Sequence, residues 1–288
     1  AVELFQFESA ASAVEVIVLF MPMGCEKGKA EVCMTGDFKL IVDEIVIREF
    51  GEKRNVLNIE QWGGGAHNIC FKVIVDNPKQ VIFVKIEKDK IFPRTRRYQM
   101  EREVYSNKLI TASGVPCPEI ICYSFEKRPV RYIIQEFIDG KLMGELMDEF
   151  TDREKAQVAY NIREVADNLL GIQSNTFGEV FVGGEIDRHE TWKDMLAHVS
   201  RVLQEDAGEL DIFTVDEMNA ISLAHSSALK YICYRGNPSL VHGDLHEFNI
   251  FADNTTKTSI QKVFDFGFAL FMASYASYYG PQAFAGNE

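Results

Sequence analysis

The apolar positions change period partway along the chain. From Val56, short apolar runs separated by turn residues predict strands over Val56 to Trp62, Ile69 to Val75 and Val81 to Ile86, the last two joined by Asp76-Asn77-Pro78. Pro93 is placed to open a helix running to about Ile110, and beyond Gly114 two more strands are predicted, Ile120 to Phe125 and Arg131 to Phe137. After residue 139 the spacing becomes helical. Thr151 and Glu154 form a capping box ahead of Ala156, Ala159, Ile162, Val165, Ala166, Leu169 and Leu170, and Thr214 and Glu217 form another ahead of Met218, Ile221, Ala228 and Leu229. Trp192, Leu196, Val199 and Leu203 outline a helix between them. Stripes at this spacing are core rather than cofactor sites. Residues 1–50 show neither period in their apolar runs, Val14 to Met23 and Leu40 to Ile47, and are assigned to an extension of unknown fold. Residues 239–270 return to short apolar, strand-like runs around a polar turn at Asp253 to Thr258, and two of those runs carry an aspartate, Asp244 and Asp265.

Composition narrows the classes. A chain of 288 residues, 47% hydrophobic and 25% charged, is ordinary for a soluble globular protein of one large or two modest domains. A formal charge of -13 argues against nucleic acid or an anionic membrane as partner, since both are bound through basic surface. The six cysteines, Cys25, Cys33, Cys70, Cys117, Cys122 and Cys233, form no C-x-x-C pair, so reduced thiols in a cytoplasmic protein are expected. Val14 to Cys25 contains Glu15, follows no Lys or Arg, and is too short for a membrane span, which makes it a poor targeting signal. His189, His198 and His225 have no ligand spacing.

Candidate chemistry lies at three places. Gly63-Gly64-Gly65-Ala66-His67-Asn68 separates the first two strands, and a glycine run there lets backbone N–H groups approach phosphate oxygens, although a tight turn needs the same residues. Lys85 sits in the third strand, either on an exposed face or held for a ligand. The third place is the pair of segments His242-Gly243-Asp244-Leu245-His246-Glu247-Phe248-Asn249 and Phe264-Asp265-Phe266-Gly267. There Asp244 suits a proton acceptor, and Asn249 and Asp265 offer the hard oxygens that Mg²⁺ prefers.

This last pair resembles the catalytic loop and metal segment of the kinase-like fold. Gly243 where protein kinases carry Arg, and His246 where they carry Lys, make it similar to the aminoglycoside phosphotransferase and choline kinase family. The motifs follow kinase order from about residue 55 to 270. The resemblance implies an α+β, two-lobed protein-kinase-like fold. Residues 51–138 would be a nucleotide-binding N-lobe, an antiparallel sheet plus one helix, and residues 139–288 a mainly helical C-lobe for catalysis and substrate. The chain ends soon after Asp265, short of the further helices such proteins carry, so the C-lobe is expected to be shortened.

The resemblance also implies roles. Gly63, Gly64, Gly65 and Asn68 would cradle phosphates, and Lys85 would hold the α- and β-phosphates with its rotamer fixed by a helix carboxylate. Glu101 and Glu103 lie about 200° apart on a helical wheel, so one alone can face the strand; the family's Glu-Arg-Glu pattern favours Glu103. Glu136 and Ile138 would meet adenine at the hinge, where a plain linker is the alternative. Asp244 would be the base, His242 would support its loop, and Asn249 and Asp265 would hold Mg²⁺. The implied reaction moves the γ-phosphate of ATP to a hydroxyl of a small molecule. Seven acidic residues between Glu136 and Glu154 suit a cationic acceptor, an aminoglycoside or amino alcohol, although a solvated acidic face explains them equally. An atypical protein Ser/Thr kinase and a catalytically inactive nucleotide-binding relative are the competing readings.

Overall fold

The computed structural model describes residues 36–64, 68–88, 98–127, 129–184, 188–211 and 213–273. Gly36–Phe50 (α1) precedes Val56–Gly64 (β1), Asn68–Val75 (β2) and Gln80–Glu87 (β3); Gln99–Ser113 (α2) then leads to Ile120–Ser124 (β4) and Tyr132–Glu136 (β5). The five strands form one antiparallel sheet in the order β1-β2-β3-β5-β4. Its period-two pattern sets two faces. Phe71, Val73 and Val75 of β2, Ile82, Val84 and Ile86 of β3, and Tyr132 and Ile134 of β5 are buried on one face, and Lys85 and Ile133 fall on the other.

Each face has its own helix. On the first, Val42, Ile45 and Val46 of α1 join the sheet core, and Phe38 meets Phe71 with ring centroids 5.7 Å apart. The part of the expected extension that the structure describes is therefore a helix packed on the sheet. Its buried stripe is hidden in the sequence because Leu40 and Ile47, equally apolar, are exposed on the opposite side. On the second face, Met100 and Val104 of α2 pack on Ile133. Pro93, the expected helix opener, lies outside the described residues, and Gly114 ends α2 in the left-handed conformation.

The helical part comprises Met143–Leu146 (α3), Asp152–Leu170 (α4), Trp192–Glu209 (α5) and Val215–Ala228 (α6). Both expected capping boxes form, Thr151 with Glu154 and Thr214 with Glu217. Short strands complete it: Phe177–Gly178 (β6), Arg188–His189 (β7), Ser239–Val241 (β8), Ile250–Ala252 (β9), Ile260–Val263 (β10) and Leu270–Met272 (β11). Strands β9 and β10 pair as a hairpin, and the other four form a sheet in the order β7-β6-β11-β8. Val158, Ile162, Val165 and Leu169 of α4 share a core with Ile250, Val263 and Phe266, and Ile110, Val115 and Cys117 enter that same core from the end of α2. The architecture is α+β, an antiparallel sheet joined to a largely helical part. No helix among the described residues is long and apolar enough to cross a membrane. Cys70, Cys117, Cys122 and Cys233 are free thiols, and Cys25 and Cys33 lie outside the described residues.

Charge is buried where β3, α2 and β5 meet. Arg131 lies 3.1 Å from Glu87 and also hydrogen-bonds Glu101. Burial outweighs the attraction of Arg131 and, with the like charge of Glu101, pushes the Glu87 carboxyl up to about 7. Such a carboxyl holds its proton better in the native state than in the unfolded one, so its contribution to stability is greatest in acid and is lost as pH rises through that value. Glu87→Gln removes the titration. Thermal melts should therefore show the variant gaining on the wild type between about pH 5 and about pH 8; a gap that stays constant with pH would contradict this account.

Candidate active site

Lys85 projects from β3 toward α2, where Glu103 meets it. The ammonium Nζ lies 2.7 and 2.8 Å from the two carboxylate oxygens, and the side chains are 7% and 5% exposed. Glu101 turns away to Arg131, as the helical angle between the two carboxylates requires. A second carboxylate, Asp265, approaches the same Nζ at 3.3 Å. Burial opposes the charge on Lys85, but Asp265 and Glu103 override it and hold its pKa above the ordinary lysine value.

Asp265 reaches Lys85 because the backbone leaves strand geometry. The apolar pattern predicts a strand-like run through Asp265 after the polar turn; instead β10 ends at Val263, and Asp265 adopts φ 62°, ψ 53° at the start of the single turn Phe266–Phe268. Continued alternation would have put Asp265 on the same side as the buried Val263. The left-handed step, which Asp tolerates better than most residues, redirects the carboxylate into the cleft.

The loop after β8 is built around His242. Its Nε2 donates to the Phe264 carbonyl at 2.9 Å and its Nδ1 accepts the Asp244 N–H at 3.3 Å, so one ring ties the two aspartate segments together. Burial lowers its pKa, which keeps it neutral in this role. His242 is thus a positioning residue beneath the site. Gly243 has φ +81°, and a Cβ there would sit 2.4 Å from the Phe268 carbonyl oxygen, so neither the conformation nor the space admits the Arg that protein kinases carry.

Asp244 is the most open acid of the site, its side chain 45% accessible against 37% for Asp265 and 5% for Glu103. Asn249 Nδ2 donates to the Asp244 carbonyl at 2.8 Å and to its Oδ2 at 3.4 Å. His246 Nε2 lies 3.8 Å from the same oxygen. Burial would raise the Asp244 pKa, but His246, with His242 and Asn249, brings it below the ordinary value; the Asp244 carboxylate in turn raises that of His246. With its amide nitrogen committed to Asp244, Asn249 has its Oδ1 left as a hard donor. Among the described residues no group of three or more His, Cys, Asp or Glu could cage a metal. Asn249 Oδ1 and the Asp265 carboxylate are hard oxygens that could hold a cation such as Mg²⁺, which takes one or two protein oxygens and completes its shell with phosphate and water.

The hinge is braced from both sides. The Glu136 N–H donates to the Glu119 carbonyl at 2.9 Å, and its carboxylate accepts the Glu119 N–H at 2.8 Å and Lys262 Nζ at 3.2 Å. Lys262, on β10, also donates to the Cys117 carbonyl at 3.1 Å. Ile138 is buried beside this brace. At the glycine turn, Gly63 and Gly64 end β1 and Asn68 opens β2, while Gly65 lies outside the described residues. Of the acidic run, Glu145 and Glu154 accept backbone N–H groups at helix starts, and Glu149 faces Lys257 at 3.4 Å. Those three carboxylates serve local structure.

Sequence reasoning missed Lys262 and a buried ion pair next to Glu103. Arg102 Nε lies 3.6 Å from Glu179, both side chains only 2% exposed. Glu179 follows β6, so the pair fastens α2 to the helical part. The only signal for it was a charged residue, Arg102, between the two glutamates of an amphipathic helix.

A strand lysine clamped by a helix glutamate and met by an aspartate on a tight turn, with a second aspartate in a glycine-bearing loop tied to that turn through a histidine, defines a kinase-type phosphotransferase. The sequence model of the phosphotransferase enzyme family matches residues 58–273, and the chain belongs to that family. Among solved structures, a thermostable mutant of aminoglycoside phosphotransferase APH(4)-Ia in ternary complex with AMP-PNP and hygromycin B is similar, with a TM-score of 0.59 and 18% identity over 82% of this chain and 74% of that one. APH(2")-IIia in complex with GDP and kanamycin is similar at TM-score 0.59 and 15% identity, over 86% and 79% of the two chains. The streptomycin-ATP complex of APH(2")-IIa has a TM-score of 0.56 at 17% identity, over 83% and 73%. No curated protein matches the sequence.

Proposed function

We propose that this protein transfers the γ-phosphate of ATP to a hydroxyl of a small cationic acceptor, an amino sugar or amino alcohol. The observation that carries the reading is the cluster of Lys85, Glu103 and Asp265, tied through His242 to the loop that holds the half-buried Asp244. Residues 51–138 act as the nucleotide lobe and 139–288 as the catalytic and acceptor lobe. Lys85 holds the α- and β-phosphates in a rotamer set by Glu103, the turn from Gly63 to Asn68 closes over them, and the backbone at Glu136 and Ile138 receives the base. Mg²⁺, held by Asn249 and Asp265, supplies charge neutralisation at the phosphates when bound. Asp244 orients the acceptor hydroxyl and takes its proton as the new O–P bond forms. The similar structures bind aminoglycosides beside nucleotides, which supports the acceptor class. The free thiols suit the reducing cytoplasm.

An ATP-consumption assay across aminoglycosides, amino alcohols, neutral sugars and model proteins tests this. Turnover should appear with the amines and vanish in Asp265→Ala. Equal activity on neutral sugars would remove the cationic acceptor, phosphate in protein acceptors would make it a protein kinase, and stabilisation by Mg-ATP without turnover would make it an inactive nucleotide-binding relative.

A further inference from the structure

His246 is a polar side chain of the catalytic loop that the mechanism above leaves without a task. Its Nδ1 accepts the Phe248 N–H at 3.1 Å. A backbone N–H can only donate, so Nδ1 carries the lone pair and, in the neutral ring, the proton sits on Nε2. That nitrogen faces Asp244 Oδ2 at 3.8 Å, and Asn249 Nδ2 faces the same oxygen at 3.4 Å. Two donors thus converge on one carboxylate oxygen, and the other oxygen, Oδ1, receives neither. The segment that holds the ring is itself seated: the Phe248 ring lies so close to α3 that a Cβ on Gly144 would stand 2.6 Å from it.

We infer that His246 is a positioning residue which, with Asn249, selects the reactive oxygen of Asp244, holding Oδ2 and presenting Oδ1 to the acceptor hydroxyl. The inference rests on the proposed phosphoryl transfer. It also decides between two roles open to a histidine beside a general base. A proton relay needs a free lone pair facing Asp244, and the ring has none there: Nδ1 is spent on Phe248, and Nε2 bears hydrogen. As the acceptor oxygen bonds to the γ-phosphorus and the bond to the leaving diphosphate breaks, the hydroxyl proton moves to Asp244 Oδ1. His246 keeps its own proton throughout. The 3.8 Å separation is longer than a hydrogen bond, as is common for catalytic contacts before substrate tightens them.

The test combines kinetics with the state of the ring. His246→Ala should lower kcat roughly 10²-fold, the effect of a misoriented catalytic group, with KM for ATP and acceptor unchanged and the melting temperature lowered only by the loss of the Phe248 N–H acceptor. His246→Gln, which offers one donor and one acceptor at comparable reach, should recover most of that loss. Loss confined to KM, equal loss in both variants, or an unchanged kcat would overturn the inference. Independently of turnover, ¹⁵N–¹H correlation of histidine-labelled wild type, with His246 assigned by its absence in His246→Gln, should show the Nε2–H tautomer. An Nδ1–H tautomer overturns the inference even in an active enzyme. A wild type that turns over no acceptor defeats the proposed function instead, and the tautomer then decides this assignment alone.

Discussion

Asp244→Ala should lower kcat by about 10²–10⁴-fold, the range by which a positioned general base contributes to a proton transfer. The nucleotide should bind almost as before. The buried pair Lys85 and Glu103, with the half-buried Asp265, forms a separate cluster, linked to Asp244 through His242 and Asn249 without sharing its carboxylate. The expected signature is a collapse in turnover with little change in KM for ATP, read from steady-state kinetics with a responsive acceptor. Should KM for ATP rise in step while kcat holds, Asp244 would be a binding group and the assignment of the base would fall.

The second large effect is on stability. Arg102→Met should destabilise the fold by about 3–5 kcal/mol, because it leaves the Glu179 carboxylate buried without its guanidinium. For comparison, Arg201 with Glu205 is an exposed i,i+4 pair at 2.7 Å, and breaking it should cost no more than about 0.5 kcal/mol. Geometry favours the second pair and burial the first; burial decides the magnitude. Urea unfolding of Arg102→Met, Glu179→Leu and the double variant would separate loss of the pair from loss of packing. The double variant should regain much of the stability lost by either single change. Strict additivity of the two losses would mean that the side chains act independently.

The sequence carried the site better than its supports, for a physical reason. Asp244, Asn249 and Asp265 lie within a short stretch whose chemistry is local, and Lys85 and Glu103 lie on elements whose period is legible. Helix geometry required that only one of Glu101 and Glu103 face β3, and the choice of Glu103 came from the family resemblance rather than from the period. Helices α4 and α6 announced themselves through Thr151 and Thr214, since a capping box is complete within four residues. What stayed hidden was non-local or averaged out. The partner of Arg102 is far away in the chain, and Lys262 meets Glu136 only after the β9–β10 hairpin has docked under the hinge. The stripe of α1 was blurred because Leu40 and Ile47 add apolar positions on the side opposite it. Asp265 departed from the expected strand because one residue in a left-handed conformation cancels an alternation that every neighbour supports.

Lys262 ties the linker between the lobes to the hairpin below it and to the carbonyl of Cys117. The same linker is gripped from the far edge of the sheet. Trp62, on β1 beside the glycine turn, meets Phe137 with ring centroids 5.3 Å apart, and the Lys72 ammonium lies over both rings. Two adjacent residues, Glu136 and Phe137, thus carry two separate fastenings, a charged one from β10 and an aromatic one from β1.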